Sequence, residues 1–191
     1  MTSKLNTVSC ITICNSALAM IGAQMISSFD DPTAEAKWCR QLYHTTRRML
    51  LRDHPWSSCT KRVTLAPLSA SPAFGWSNQY LLPPDFVRLL SAGGSGHAIE
   101  SGRLLSNANP VQLVYVWDNE SESTWDDLLI EAMGLKLAAK LAKPVTGSTT
   151  DAQVREDEYQ RLLKRARAIN AQERPSEQLQ YDASSLLEGR A

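Results

Sequence analysis

The stretch LLRDHPWSSCTKRVTLA, residues 50–66, places a histidine between an aspartate and a proline–tryptophan pair. A histidine held by a carboxylate can transfer protons near neutral pH, so His54 and Asp53 are the first candidates for catalysis. Neighbouring residues of a helix point about 100° apart, however, and no G-x-S-x-G or similar nucleophile motif accompanies this pair. The sequence therefore favours a structural joint, at which His54, Pro55 and Trp56 end a helix and lead into strands.

Six carboxylates could supply a different chemistry, the hydrolysis of a glycosidic bond. That reaction needs two carboxyl groups about 5 Å or about 6.5–9.5 Å apart across a cleft, one of them with a raised pKa. The candidates are Glu100, Asp118, Glu120, Glu122, Asp126 and Asp127. Most of them belong to the stretch DNESESTWDD, which is more simply a polar loop followed by a helix cap. A cell-wall glycan hydrolase stays open as the alternative function.

Cysteine and glycine patterns predict no bound group. The four cysteines, at positions 10, 14, 39 and 59, include no C-x-x-C pair and no histidine at ligand spacing. We expect them to be small buried apolar residues in a reducing compartment. The glycine-rich AGGSGH, residues 92–97, lacks the lysine of a phosphate-binding loop and does not open a helix. The sequence thus predicts no catalytic residue, no metal and no cofactor.

Composition narrows the class of protein. The chain has 191 residues, 43% of them hydrophobic, with 20 basic and 20 acidic side chains. This is typical of one globular domain, and a net charge of zero argues against a sequence-independent grip on nucleic acid as the main task. Polar residues interrupt the apolar run near the amino terminus, which predicts a packed helix instead of a signal peptide. No stretch is apolar enough to span a membrane, so we expect no membrane partner.

Four amphipathic segments predict helices. The first covers about residues 7–23, where apolar side chains recur every three or four positions. The second starts at a cap supplied by Asp30 or Asp31 and ends at the joint described above. The third starts at a Ser123 cap and ends at Pro144. The fourth is capped by one of three residues, Ser148, Thr149 and Thr150.

From residue 61 to about 117 the apolar pattern changes to a period of two, which predicts short strands. The clearest hairpin places Ser101 and Gly102 in the turn, with Glu100 facing Arg103 across it. We therefore predict an α+β fold, mainly α, in which an antiparallel helical bundle carries a small inserted antiparallel β-sheet. The predicted units are N-terminal helices of the bundle in 1–60, the β-insertion in 61–120, C-terminal helices of the bundle in 121–174 and an extended C-terminal tail in 175–191.

Four stretches, taken in order, carry a resemblance to a known family: ICNSALAMIGAQMISSFDD, LRDHPWSSCTKRVTLA, AFGWSNQYLLPPDFVRLL and EAMGLKLAAKLAKPVTGS. Together they resemble the tail tubular protein A family, the head-to-tail adaptors of short-tailed bacteriophages. The likeness covers about residues 8–150, and the combination of H-P-W, F-G-W and L-P-x-D is its most specific part. The segment after residue 175 has no matching motif.

The resemblance implies a non-enzymatic virion protein, made in the host bacterial cytoplasm and located in the tail connector. It implies a ring of twelve copies, a homododecamer, beneath the portal that continues the DNA channel for genome retention and ejection. The implied partners are the portal protein, a tail nozzle protein similar to tail tubular protein B, other copies of the chain and passing double-stranded DNA without sequence specificity. A hydrolase carried in the virion is the alternative.

Two sets of residues complete the prediction. The outer helices and the tail would bind the portal, because a polar tail with a few apolar anchors is typical of a segment that folds on a partner. The portal-binding anchors are Tyr181, Leu186 and Leu187. The structural joint comprises His54, Pro55, Trp56 and Trp76, and Phe74 is expected to pack with Trp76 onto the sheet.

Overall fold

The computed structural model describes residues 8–94 and 96–173. Within those ranges the chain forms four α-helices and six β-strands, about 49% helix and 19% strand. The helices are α1 (Cys10–Met20), α2 (Ala34–Asp53), α3 (Asp127–Thr146) and α4 (Thr149–Glu173). The strands are β1 (Thr60–Leu65), β2 (Asn78–Leu81), β3 (Phe86–Ala92), β4 (Ala98–Glu100), β5 (Arg103–Ser106) and β6 (Val111–Trp117).

The predicted helical bundle with a small inserted sheet is wrong, because the described strands form two three-stranded antiparallel sheets and the fold is α+β. The first sheet has the order β1-β6-β3 and the second has the order β2-β5-β4. The chain passes back and forth between the sheets, so most consecutive strands do not pair. A linear run of short alternating segments does not reveal this separation into two layers.

The β4–β5 hairpin is confirmed. Glu100 pairs with Arg103, and the turn residues Ser101 and Gly102 have φ angles of 47° and 74°. Two successive residues with positive φ are what a type I′ turn requires, and glycine adopts that geometry at no steric cost. The Arg103 guanidinium also donates to Oε1 of Gln79 at 2.7 Å, which ties the hairpin to β2.

Helix α2 starts at a different cap from the predicted one. The hydroxyl of Thr33 accepts a hydrogen bond from the Ala36 amide at 3.2 Å, and neither Asp30 nor Asp31 is the cap. The Asp31 carboxylate instead accepts from the amide of Ser27 at 2.6 Å. Asp31 therefore closes the turn before the helix, and the Thr33 hydroxyl caps the helix itself.

The cap of helix α3 lies three residues later than predicted, and the helix continues two residues past its predicted end at Pro144. Asp126, not Ser123, is the cap, and its carboxylate accepts from the Leu129 amide at 2.9 Å. Pro144 lies inside the helix, where its fixed φ is compatible with helical geometry. The helix ends at Thr146, and Gly147 follows it as the C-terminal cap with a left-handed φ of 74°.

The described residues form two hydrophobic cores. The helical core contains side chains from all four helices and is joined by Trp56, Cys59, Val87 and Val116 from the joint and the first sheet. The sheet core draws on both sheets and consists of Tyr80, Leu104, Val111, Leu113 and Tyr115. We call the regions around these cores the helical lobe and the sheet lobe.

Candidate functional site

The joint lies between α2 and β1. His54 follows the last residue of α2 with φ −145° and ψ 142°, because the proline at position 55 excludes helical geometry from the residue before it. His54 is 4% exposed and its ring meets Trp56 edge to face, with centroids 4.6 Å apart. The Trp56 indole donates to the Leu50 carbonyl at 3.3 Å. These contacts pack the corner tightly against the helix that it ends.

The two groups beside His54, namely Asp53 and Cys59, are respectively bonded to another helix and buried. The Asp53 carboxylate accepts from the hydroxyl of Tyr159 in α4 at 2.7 Å, so it ties two helices together. Burial, followed by this bond, raises the pKa of Tyr159. Cys59 is fully buried, and its burial raises the pKa of the thiol to about 11. A thiol of that pKa carries little thiolate at neutral pH, which opposes nucleophilic chemistry.

One small cavity brings His54 together with two of the candidate carboxylates. It has a volume of about 180 Å³ and is lined by His54, Asp126 and Asp127, among others. Asp126 is engaged on both oxygens, with the Leu129 amide on one and the Ser58 hydroxyl on the other at 3.2 Å. Ligand pockets usually have volumes of about 300–1,000 Å³, so this cavity is too small for a saccharide.

The other acids of the loop after β6 are bonded to α2. Arg47 donates from Nε to Asp118 at 2.8 Å and from Nη2 to Glu120 at 2.6 Å, and Arg48 donates to the second oxygen of Asp118 at 2.8 Å. The Arg47 side chain is 3% exposed. Burial alone would lower the pKa of its guanidinium, but the bonds to both carboxylates outweigh burial and raise that pKa.

A third acid extends this network. The Tyr43 hydroxyl donates to Oε1 of Glu122 at 2.9 Å, and burial, followed by this carboxylate, raises the pKa of the hydroxyl. We call the whole set the acidic brace: Tyr43, Arg47 and Arg48 of α2 with Asp118, Glu120 and Glu122. The brace holds the loop after β6 against the second half of α2. Asp118 and Glu120 line an open groove of about 470 Å³ together with Asp85, but each of these three carboxylates is paired with an arginine or a lysine.

A smaller network fastens the first sheet. Asp85 accepts from Lys61 at 2.7 Å and from the Tyr115 hydroxyl at 3.0 Å. Burial would raise the pKa of Asp85, but these two bonds lower it overall. Burial, followed by the Asp85 bond, raises the pKa of Tyr115 to about 12. The Lys61 ammonium also lies 3.5 Å from the ring centroid of Trp117, a cation–π contact.

Several predicted residues are placed elsewhere or outside the described ranges. Trp76 is half-buried and its ring lies beside Gly96, so it belongs to the end of the second sheet and not to the α2–β1 joint. Phe74 does not pack on the sheet, because it is 89% exposed. The portal-binding anchors at positions 181, 186 and 187 lie outside the described residues.

Exposed apolar side chains in and before the second sheet are the feature that the sequence did not reveal. Leu68, Phe74, Leu81 and Ile99 are exposed, and all belong to the second sheet or the loop before it. We call these four residues the apolar flank. The alternation of β2 and β4 predicts strands but does not tell which apolar positions face a core. Leu81 pairs with Arg103 and Ile99 pairs with Leu104, so these two side chains lie on opposite faces of the second sheet and the flank is not one continuous surface.

Bound metal and membrane insertion find no support in the part of the chain that the structure describes. Across residues 8–94 and 96–173, no cluster of His, Cys, Asp and Glu is arranged to hold a metal ion. Within the same ranges, no helix combines the length and the apolar character needed to cross a bilayer.

Comparison with known proteins does not assign the chain to a family. No protein-family model matches it, and no curated protein matches it.

Proposed function

We propose that this chain is a non-enzymatic structural protein of a bacteriophage particle, a head-to-tail adaptor. Twelve copies would form a ring between the portal and the tail nozzle and continue the DNA channel through which the genome is retained and ejected. The proposal is supported by the resemblance of residues 8–150 to the tail tubular protein A family and by the contacts of the candidate catalytic groups.

The acidic brace is the observation that carries the proposal. A glycosidase needs one carboxyl group that can donate a proton and a second that faces it across the substrate. Asp118 and Glu120 are instead paired with Arg47, and Glu122 accepts from Tyr43. Residues that would carry hydrolysis therefore hold the sheet lobe against the helical lobe. A rigid connection between two lobes suits a building block that transmits load.

The distribution of surface types also supports a ring. A closed ring uses head-to-tail contacts, so each subunit must offer two different surfaces to its neighbours. Exposed apolar side chains such as Leu81 and Phe74 provide one kind of surface, and the charged outer side of α4 provides another. A net charge of zero suits a conduit, because a strongly basic channel would hold DNA through many phosphate contacts.

The mass of the assembly with and without portal protein tests the proposal. The 21.1 kDa chain is mixed with the portal protein encoded by the same genome and examined by native mass spectrometry. We expect portal rings to gain a whole number of chains, twelve if the ring is complete. Replacing Leu186 and Leu187 together by Asp should abolish the gain. Portal rings whose mass does not change would contradict the adaptor function.

Zymography separates the adaptor from a hydrolase carried in the virion. The purified chain is applied to cell-wall substrate as the wild type and with Asp118, Asp126 or Asp127 changed to Asn. We expect no clearing from any of the four proteins. Clearing by the wild type that disappears in a single variant that keeps its fold would establish the enzyme and overturn the proposal.

A further inference from the structure

A cleft opens where the free edges of the two sheets face each other. β3 is an edge strand of the first sheet and β4 is an edge strand of the second, and both line a cleft of about 550 Å³. The apolar side chains in it are Phe86, Leu89, Leu90 and Ile99. Ile99 is 42% exposed there, so the floor of the cleft is open to a ligand.

The charged groups of this cleft have one sign. Arg52 and Arg88 line it beside the imidazole of His97, and no acidic side chain of the described residues does. Arg52 donates from Nη1 to the Val87 carbonyl at 2.7 Å, and Arg88 donates from Nη1 to the Arg52 carbonyl. Each guanidinium has five donors, and within residues 8–94 and 96–173 neither arginine pairs with a carboxylate. The cleft fits a ligand that combines acidic and apolar side chains.

The end of α4 lies close to this cleft. Ile169 of α4 and His54 line the same 180 Å³ cavity, and Arg52 of the cleft precedes His54 by only two residues. The helix continues to Glu173, about 6 Å further along its axis. Residues 174–191 follow, and eighteen residues can extend over roughly 60 Å. The anchors Leu186 and Leu187 follow Glu173 by thirteen and fourteen residues, so roughly 40 Å of extended chain is available to bring them to the cleft.

The composition of that segment matches the cleft. Its apolar side chains are Leu179, Tyr181, Leu186 and Leu187, and its acids Glu177, Asp182 and Glu188 lie between two terminal arginines, Arg174 and Arg190. We propose that residues 182–188 dock in the cleft between β3 and β4 of the same chain. The apolar side chains cover Leu89, Leu90 and Ile99, and the acids pair with the two arginines. This docking does not depend on the adaptor function and would cover the tail anchors while the chain is free.

Recognition in the cleft relies on side chains more than on added strand pairing. β3 has irregular register between Phe86 and Arg88 and between Leu89 and Ser91, which interrupts its edge. Arg52 already occupies the Val87 carbonyl. An incoming segment therefore cannot form a continuous ladder along β3, and its affinity comes from apolar contact and charge.

Competition with a labelled peptide tests the docking. A fluorescent peptide of residues 174–191 is titrated with full-length wild type and with a full-length chain carrying Leu186→Asp and Leu187→Asp. The variant's own tail should no longer fill the cleft, so the peptide should bind it at least tenfold more tightly than the wild type. Adding Ile99→Asp to the variant should weaken peptide binding at least tenfold. Adding Leu81→Asp, an exposed residue of the same sheet outside the cleft, should not change it.

Three results would overturn the proposal. These are no peptide binding to the tail variant, equal binding after Ile99→Asp, and loss of binding after Leu81→Asp. His97→Glu serves as a second cleft variant if Ile99→Asp does not fold, and the same tenfold weakening is expected. Sedimentation of the wild type should show a monomer of 21.1 kDa. A dimer that dissociates when Leu186 and Leu187 are changed to Asp would mean that the tail docks on a second copy, and this would also overturn the proposal.

Discussion

The helical core contains mostly aliphatic side chains from four helices, whereas the sheet core has five buried apolar residues, two of which are tyrosines. Both tyrosine hydroxyls have polar partners: Tyr80 donates to the Ala108 carbonyl and Tyr115 donates to Asp85. A small lobe buries little apolar surface, so individual polar contacts make up a larger part of its stability. The comparison indicates that apolar packing stabilises the helical lobe, while polar contacts keep the sheet lobe in place.

Leu137→Ala should have the largest effect, because it opens a cavity in the centre of the helical core. Leu137 is fully buried in α3. We expect the free energy of unfolding in urea to fall by about 2–5 kcal/mol. The matched variant Leu104→Ala removes the same atoms from the sheet core and should speed amide exchange in β2, β4 and β5 while the helices stay protected. Equal loss of helix protection in both variants would contradict the separation into two cores.

Arg47→Met tests the acidic brace that joins the lobes. The substitution keeps the buried volume but leaves Asp118 with Arg48 as its remaining arginine. We expect the free energy of unfolding to fall by about 2–3 kcal/mol, since a mostly buried carboxylate loses a charged partner. Glu120→Gln is the control: its side chain is 69% exposed, and a change below about 0.5 kcal/mol is expected. If Arg47→Met and Glu120→Gln gave the same unfolding curve, the acidic brace would not contribute to the stability of the fold.

The sequence predicted the features that depend on local chemistry. Pro55 ends α2 where expected, and the Ser101–Gly102 turn joins β4 to β5. Ser148, one of three predicted caps, accepts from the Asp151 amide at the start of α4. Proline geometry, positive φ and side-chain caps each act within a few residues, so a single sequence is sufficient to recognise them.

The features that the sequence could not predict depend on distant residues. β1 pairs with β6, and the Arg47–Asp118 bond joins residues 71 positions apart. Short strands do not show which of two sheets they join, and this is why one inserted sheet was expected instead of two. The exposure of Phe74 has the same cause, because an aromatic residue in a loop packs only if a distant surface meets it.

Asp85→Asn tests the polar contacts of the sheet lobe. The carboxylate accepts from Lys61 and Tyr115, and removing its charge should lower the free energy of unfolding by about 1 kcal/mol at pH 7. The folded pKa of Asp85 is lowered, so this stabilisation is complete above the unfolded value, about 3.9, and is lost as pH falls toward the folded value. Urea unfolding at pH 7, 5 and 3 should show the difference between wild type and variant shrinking only below about pH 4. A difference that persists unchanged at pH 3 would mean that the charge of Asp85 is not the cause.

Ser101→Asn should have the smallest effect and the opposite sign. Ser101 has a φ of 47°, and asparagine adopts positive φ more readily than serine at the first position of a type I′ turn. We expect an increase of about 0.5 kcal/mol in the free energy of unfolding and slower amide exchange in β4 and β5. Gly102→Ala is the matched control, since an alanine at a φ of 74° should cost about 1 kcal/mol. If the sheet lobe opens separately from the helical lobe, both variants will change exchange in the hairpin and leave exchange in α3 unaltered. A parallel change in α3 would mean that the two lobes unfold as one unit.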